Sequence, residues 1–250
     1  TPIEYSSTVP VSSAVSSGVQ ESSAERLMSS AVVDLPLADY IDLLDDRVVF
    51  DDFADGNFQN RFAMSMAAAG KVDAKNAGGY WAPMVVGSGL VIDQWGNGVT
   101  ESGAAAMIVD TSLHVTIETG PTNENLEIAN YAGVTVPLIE YGRAVDLSLV
   151  RVISVTARGS GIFTMEFETD NLPDWGVFMA RMDLTESYKV FTYKTYEFKG
   201  SMWSLIEGES LDDYLDKVTR LAFALYGDNK RGEIEISNIT FGGIDIAEVP

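Results

Sequence analysis

The chain has 250 residues, 46% of them hydrophobic, no cysteine and a formal net charge of −21, with a pI near 4.2. That length and apolar content can bury a sizeable core, whereas the charge opposes nucleic acid and anionic membrane surfaces, both of which such a field repels. Disulfide frameworks and thiolate metal sites are excluded, no apolar run reaches the roughly 20 residues of a membrane span, and neutral ligands such as polysaccharides meet no electrostatic penalty.

Residues 1–30 are rich in Ser, Thr, Val and Ala, as in Ser6-Ser-Thr-Val-Pro-Val-Ser-Ser-Ala-Val-Ser-Ser-Gly18. Such a stretch cannot offset its ordering entropy alone and reads as a linker or arm. Its spaced Val9, Val11, Val15 and Val19 could instead add a strand to a sheet edge. No charged segment followed by an apolar one opens the chain, and the Ser-rich leader points to a secreted protein whose signal peptide is already gone from this numbering. Residues 31–47 carry Leu35, Leu37, Ile41, Leu43 and Leu44 among five Asp, an acidic helix or turn leading into the first strand.

From Val48 onward, alternating apolar segments recur between turn signals, and the whole of 48–250 reads as one domain. Strands are predicted near 48–53, 79–86, 104–117, 128–139, 149–158, 161–168, 175–182, 188–198, 218–226 and 232–242. One short helix is predicted around Ser210-Leu-Asp-Asp-Tyr-Leu-Asp216, with Ser210 as its N-cap. This pattern makes the fold all-β, an antiparallel β-sandwich of jelly-roll type with a Ser-rich N-terminal arm and one short helix. The run Val218-Thr-Arg-Leu-Ala-Phe-Ala-Leu-Tyr226, then Gly-Asp-Asn-Lys-Arg-Gly232, then Glu233-Ile-Glu-Ile-Ser-Asn-Ile-Thr-Phe241 predicts a closing antiparallel hairpin.

Catalytic templates are not met. His114 is the only histidine and sits between Leu113 and Val115 in a predicted strand, where a structural role fits better than that of a general base. There is no Gly-x-Ser-x-Gly elbow and no pair of metal-ligating histidines. With 37 Asp and Glu, no one carboxylate pair can be singled out as a glycosidase acid and base. Gly87-Ser-Gly89 lacks the βαβ setting of a phosphate loop and reads as a turn.

Two markers near the ends of the folded region carry a resemblance. The closing run ending in Ser237-Asn-Ile-Thr-Phe241, and Val48-Val-Phe-Asp-Asp-Phe-Ala-Asp-Gly56 at the start, resemble the last and first strands of galactose-binding-like jelly rolls, particularly family 11 carbohydrate-binding modules and their relatives. Between them, Gly78-Gly-Tyr-Trp81, Ser102-Gly-Ala-Ala-Ala-Met107, Tyr131-Ala-Gly-Val-Thr-Val136, Val145-Asp-Leu-Ser148 and Thr156-Ala-Arg-Gly-Ser-Gly161 resemble further elements of these domains in the same order.

The resemblance implies non-catalytic binding of a β-glucan or similar chain along a concave sheet. Such a site needs aromatic faces for the C–H faces of sugars and planar polar groups for hydroxyls. The candidates are Tyr80 and Trp81 in the matched element, Trp175 at a strand start, Glu166 and Glu168 on one face of Gly161–Glu168, and Arg181 and Tyr188 on neighbouring segments. A core role for Trp81 or Trp203, and a merely solvated face for the two glutamates, are the alternatives. The resemblance also implies calcium held by oxygen ligands of the first and last strands. Asp51, Asp52 and Asp55 match the first part; Ser237 stands where the family has Asp, with Glu235 as the substitute on the same face. The sequence thus points to a secreted polysaccharide-binding module, extracellular or at a cell surface. The alternative is a structural subunit of an extracellular filament or surface assembly, self-associating through residues 1–30.

Overall fold

The computed structural model describes residues 47–121, 130–170, 172 and 176–249. The Ser-rich arm, the acidic lead-in up to residue 46 and the first residues of the strands expected from 128 and 175 lie outside the described residues. The described strands, in chain order, are β1 (Arg47–Asp51), β2 (Ala82–Val86), β3 (Leu90–Ile92), β4 (Ile108–Val109), β5 (Ser112–Glu118), β6 (Tyr131–Pro137), β7 (Val152–Ser160), β8 (Ile162–Thr169), β9 (Phe178–Asp183), β10 (Lys189–Lys194), β11 (Lys199–Gly200), β12 (Val218–Tyr226) and β13 (Arg231–Gly242).

They form two antiparallel sheets, as the alternation predicts. One runs β10-β7-β13-β5-β3, with β1 on β13 and β4 on β5; the other runs β11-β9-β8-β12-β6-β2. The order is the same in both layers, because successive strands alternate between sheets: β2 and β3, β5 and β6, β7 and β8, β9 and β10, and β12 and β13 each divide between the two. The chain is therefore a set of ribbons bent over the core, β5/β6 antiparallel to β12/β13 and β7/β8 antiparallel to β9/β10. That is the double-sheet jelly roll.

The predicted closing hairpin is corrected by this topology. β12 pairs with β6 and β8, and β13 pairs with β1, β5 and β7, so the turn 227–230 carries the chain from one sheet to the other. Alternation and turn residues look the same whether two strands pair or face each other, which is why the sequence could not tell them apart. Gly227 (φ +103°) and Asn229 (φ +52°) supply the left-handed conformations of this crossing. The crossing from β7 to β8 is made by Gly161 alone, at φ +104°.

Period-two alternation sends one face of each strand inward. Phe163, Met165 and Phe167 of β8, Leu221, Phe223 and Leu225 of β12, and Ala132, Val134 and Val136 of β6 are all buried. Opposite them, Phe50 of β1 lies 5.0 Å from Phe241 of β13, centroid to centroid, and Phe167 meets Phe198 edge-on at 5.1 Å. Burying each such ring is worth about 2–3 kcal/mol.

Several helical segments depart from the sequence reading. Helix α1 (Arg61–Ala68) was not predicted, since Arg-Phe-Ala-Met-Ser-Met-Ala-Ala offers little polar contrast. Its N-cap Asn60 accepts from Ala63 N at 2.7 Å and donates to Pro137 O at 3.0 Å, tying the helix start to β6. The predicted helix at 210–216 forms as a 3-10 helix over Leu211–Lys217, with the Ser210 side chain accepting from Asp212 N. Residues 101–107 are likewise 3-10 helix, so the strand expected from 104 begins later. No described helix is long and apolar enough to cross a membrane.

Trp81 belongs to this core, which corrects its candidacy as a sugar platform. Its ring is fully buried, 5.8 Å from Phe53 and 6.2 Å from Phe223, and its Nε1 donates to Asp51 Oδ2 at 2.7 Å. Asp51 also accepts from Phe53 N at 3.0 Å. Burial pushes the Asp51 carboxyl up from 3.8 to about 6, against the Trp81 and Phe53 hydrogen bonds that favour its ionised form. The folded chain thus holds a proton that the unfolded chain sheds. This contribution to stability is complete below about pH 4 and is lost as pH rises through about 6.

Trp81→Phe removes a donor to the ionised carboxylate along with ring volume. We expect urea denaturation to show a loss of about 3 kcal/mol at neutral pH and a clearly smaller loss near pH 4. An equal loss at both would assign the whole cost to packing and leave the Asp51 contact without energetic weight.

Candidate functional site

Alternation that fills the core also decides what the six-stranded sheet shows on its other face. Opposite Leu221, Phe223 and Leu225, β12 presents Arg220, Ala222, Ala224 and Tyr226. In register beside it, β8 presents Thr164, Glu166 and Glu168, and β6 presents Tyr131, Gly133 and Thr135. The alanines and glycine keep the middle of this face low, and larger side chains stand around it.

The segment Ser201–Glu209 folds back over this face between β11 and the 3-10 helix. Ser201 N donates to Val177 O at 2.9 Å, Ser204 Oγ to Ser201 O at 2.8 Å, and Glu209 N to Ile206 O at 3.0 Å, with Ile206 buried as an anchor. Gly200 permits the return, because a Cβ there would stand 1.8 Å from Ile206 O. The result is a groove of about 430 Å³ lined by, among others, Tyr131, Glu166, Glu168, Trp203, Arg220 and Tyr226.

Three aromatic rings form one wall. Tyr131 and Tyr226 stack at 5.2 Å with planes 29° apart, and Trp203 leans on Tyr226 at 5.5 Å and 39°. Polar groups face them. Glu166, only 4% exposed, accepts from Thr164 Oγ1 at 2.6 Å and from the Tyr226 hydroxyl. Glu168 forms an ion pair through Oε2 with Arg220 Nη2. Burial raises the Glu166 carboxyl above the usual carboxylate range, against the lowering effect of Thr164, Tyr226 and Arg220. Burial, then the neighbouring Glu166, raises the Tyr131 and Tyr226 phenols. Thr169 also lines the groove, buried, and its hydroxyl has no hydrogen-bond partner.

Of the seven ligand candidates expected from sequence, Glu166 and Glu168 line the groove. Trp175 lies outside the described residues. Arg181 shares the outer face of β8 and β9, but its guanidinium is engaged by Asp183, with Nη2 to Oδ1 at 2.8 Å. Tyr80 is half exposed away from the groove, its ring 5.2 Å from Phe58. Tyr188 lies just before β10 of the opposite sheet, where its hydroxyl donates to Glu235 at 2.5 Å and Arg158 lies 4.7 Å above its ring. With Trp81 in the core, the groove's aromatics are a different set. Arg220 and Tyr226 were legible as one face of Val218–Tyr226, and Tyr131 as one face of its own strand. Trp203 needed the fold of the loop.

The four carboxylates named for calcium are not gathered either, and among the described residues no cluster of three or more metal-ligating side chains forms. Glu235 sits on β13 four residues before Ile239, the register partner of Asp51, which is about 13 Å along a strand. Its carboxylate accepts from Arg158 Nε at 2.6 Å, from Tyr188 and from Ser112 Oγ, and against its own desolvation the Arg158 and Tyr188 bonds hold it below the usual range. Asp51 is committed to Trp81 and Phe53. Asp52 pairs with Arg61, and Asp55 accepts from Asn57 N at 3.1 Å. His114 Nε2 lies 2.7 Å from Glu233 Oε1.

No protein-family model matches the chain, and no curated protein matches it. Among solved structures the chain is similar to the family 11 carbohydrate-binding module of a cellulosomal cellulase of Clostridium thermocellum. That match has 18% identity and a TM-score of 0.45, over 66% of this chain and 88% of that one. A family 11 module from Clostridium thermocellum in complex with a β-1,3-1,4-mixed-linked tetrasaccharide matches at 16% identity and a TM-score of 0.45, over 79% of this chain and 96% of that one. A family 29 module matches at 10% identity and a TM-score of 0.31, over 56% and 73%.

Glu166→Gln keeps an acceptor for Thr164 and removes the titration. Because the wild-type carboxyl is raised on folding, its stabilising share is present below the unfolded value and is lost as pH rises through the folded one. The variant should therefore gain stability relative to wild type as pH rises from about 4 to 8, as read from thermal melts. A difference that stays flat across that range would contradict the burial of an ionisable group at this position.

Proposed function

We propose that this chain is a secreted, non-catalytic module that binds a β-glucan-type polysaccharide in the groove of the six-stranded sheet. The observation that carries this reading is the wall of Tyr131, Tyr226 and Trp203 set across from Glu166, Glu168 and Arg220. Ring faces stack on the C–H faces of pyranoses, and planar carboxylate and guanidinium groups hydrogen-bond pairs of hydroxyls. A groove open along the sheet suits a chain rather than a single sugar. Affinity comes from stacking and hydrogen bonds, and no covalent step is involved. The mixed-linkage β-glucan bound by the family 11 module is the first ligand to test.

Calorimetric titration with mixed-linkage β-glucan oligosaccharides is the direct experiment. Trp203→Ala should weaken binding by tenfold or more, in line with about 1–3 kcal/mol for a stacked aromatic anchor. Tyr188→Ala, on the opposite sheet, should leave binding unchanged. Lack of binding by the folded wild-type chain to any β-glucan, or equal effects of the two substitutions, would reject the reading.

A further inference from the structure

Tyr141 is 83% exposed, yet it lines the same groove as Tyr131, Tyr226 and Trp203, together with Pro137 and Gly142. Its backbone is fixed. After β6 the chain buries Leu138 and Ile139, Leu138 N donates to Thr219 O at 3.0 Å, and Ile139 O accepts from Gly79 N at 2.9 Å. A turn then closes, with Arg143 N donating to Glu140 O at 3.1 Å and Gly142 in the left-handed conformation at φ +75°. Gly78 lets the two backbones meet beneath it, because a Cβ there would stand 2.5 Å from Ile139 O. A held turn thus keeps a large ring in water at the rim of the groove, a ring whose burial would be worth about 2–3 kcal/mol.

Strand register says where along the groove this ring stands. Tyr226 pairs with Tyr131 and Arg220 with Pro137, so these two levels of the face lie about 20 Å apart along the strands. Tyr131, Tyr226 and Trp203 occupy one end, and Tyr141, just beyond Pro137, stands at the other. Between them the outward face of β12 carries Ala222 and Ala224, with Glu166 opposite Ala222 and the Arg220–Glu168 pair nearer Tyr141. Across the strands the face is closed on the β9 side. There Ser201 N donates to Val177 O and Gly200 N to Glu209 O, both at 2.9 Å, so the segment bearing Trp203 stands in that path. A chain laid across the strands meets this backbone. A chain laid along β12 has a ring at each end of its path.

We propose that a bound glycan lies along β12, from the Trp203 wall to a second stacking contact on Tyr141, and that the groove therefore selects chains long enough to reach both. This inference rests on the sugar-binding reading above and adds to it the direction of the chain, a further contact residue and a length requirement.

Two mixed-linkage β-glucan oligosaccharides test it on the whole chain, a hexasaccharide by calorimetry and a trisaccharide by NMR titration. Tyr141→Ala should weaken the hexasaccharide by about fivefold or more, as for loss of one stacked ring, and leave the trisaccharide unchanged. Tyr141→Phe, which keeps the ring, should bind both like wild type. Trp203→Ala should weaken both. A nitroxide on the reducing end of the hexasaccharide should broaden the amides of 140–143 or those of Tyr131 and Tyr226, at one end of β12. Broadening centred on Val177 or Met84 in their place would put the chain across the strands and overturn the proposal. An unchanged hexasaccharide affinity in Tyr141→Ala, or an equal loss for both lengths, overturns it while leaving the sugar-binding reading intact. Binding of neither oligosaccharide by the wild-type chain overturns that reading and this one together.

Discussion

The register of β6, β8 and β12 is the constraint on which everything else depends. Each of these strands places three apolar side chains in the core, Ala132, Val134 and Val136, Phe163, Met165 and Phe167, and Leu221, Phe223 and Leu225. A strand has two faces and a strict period of two, so filling the core leaves no choice about what faces outward. Glu166, Arg220, Tyr226 and Tyr131 form one group because their neighbours are inside. A slip of one residue in β12 would bury Arg220 and Tyr226 and expose Phe223. The hydrophobic energy that fixes the fold also aims the site, and no separate device is needed.

What converts an outward face into a groove is the return of Ser201–Glu209. Its backbone is satisfied by hydrogen bonds at both ends and pinned by Ile206, so Trp203 is held in place before any ligand arrives. Beneath it, a carboxylate is kept in a largely dry setting by two hydroxyl donors. Such a group is costly to bury, and its retention beside Ala222, Ala224, Gly133 and Thr135 makes that face chemically pointed where it could have been inert. The opposite sheet makes the contrast. There Glu235 is matched by Arg158 and Tyr188, and Glu233 lies within hydrogen-bonding distance of His114, so each of these carboxylates has a side-chain partner.

Much of this was legible in the chain itself. Alternation located most of the long strands to within a few residues, β5 starting later than expected, and Glu166 and Glu168 were recognisable as one face of β8. The misses have physical reasons. Pairing and facing strands carry the same pattern, so the final two strands looked like a hairpin when they lie in different sheets. Trp81 looked like a platform because a tryptophan after a tyrosine in a strand can point either way; the buried partner Asp51 that decides it is 30 residues distant. Tyr188 and Glu166 both read as alternating strand residues in the sequence, and only the crossings show that one lies by the opposite sheet, just before β10. Trp203 sits in a loop without periodicity, where position is set by tertiary hydrogen bonds that no local pattern encodes.

The interleaved order of the strands has a consequence for how the molecule is made. β12 and β13 are interior strands of their sheets, each flanked on both sides, yet they occupy the last stretch of the described chain. Vectorial synthesis therefore delivers the middle of each sheet after its flanks. Until residues 218–242 emerge, β6 and β8 have no common neighbour, and β5 and β7 have none either, so both layers stand open with unpaired edges. Closure then joins partners as far apart as Arg47 and Gly242, at the two ends of the described strands, in the slow, non-local manner of high-contact-order β folds. A nascent chain of this kind spends its vulnerable period waiting for its own keystone.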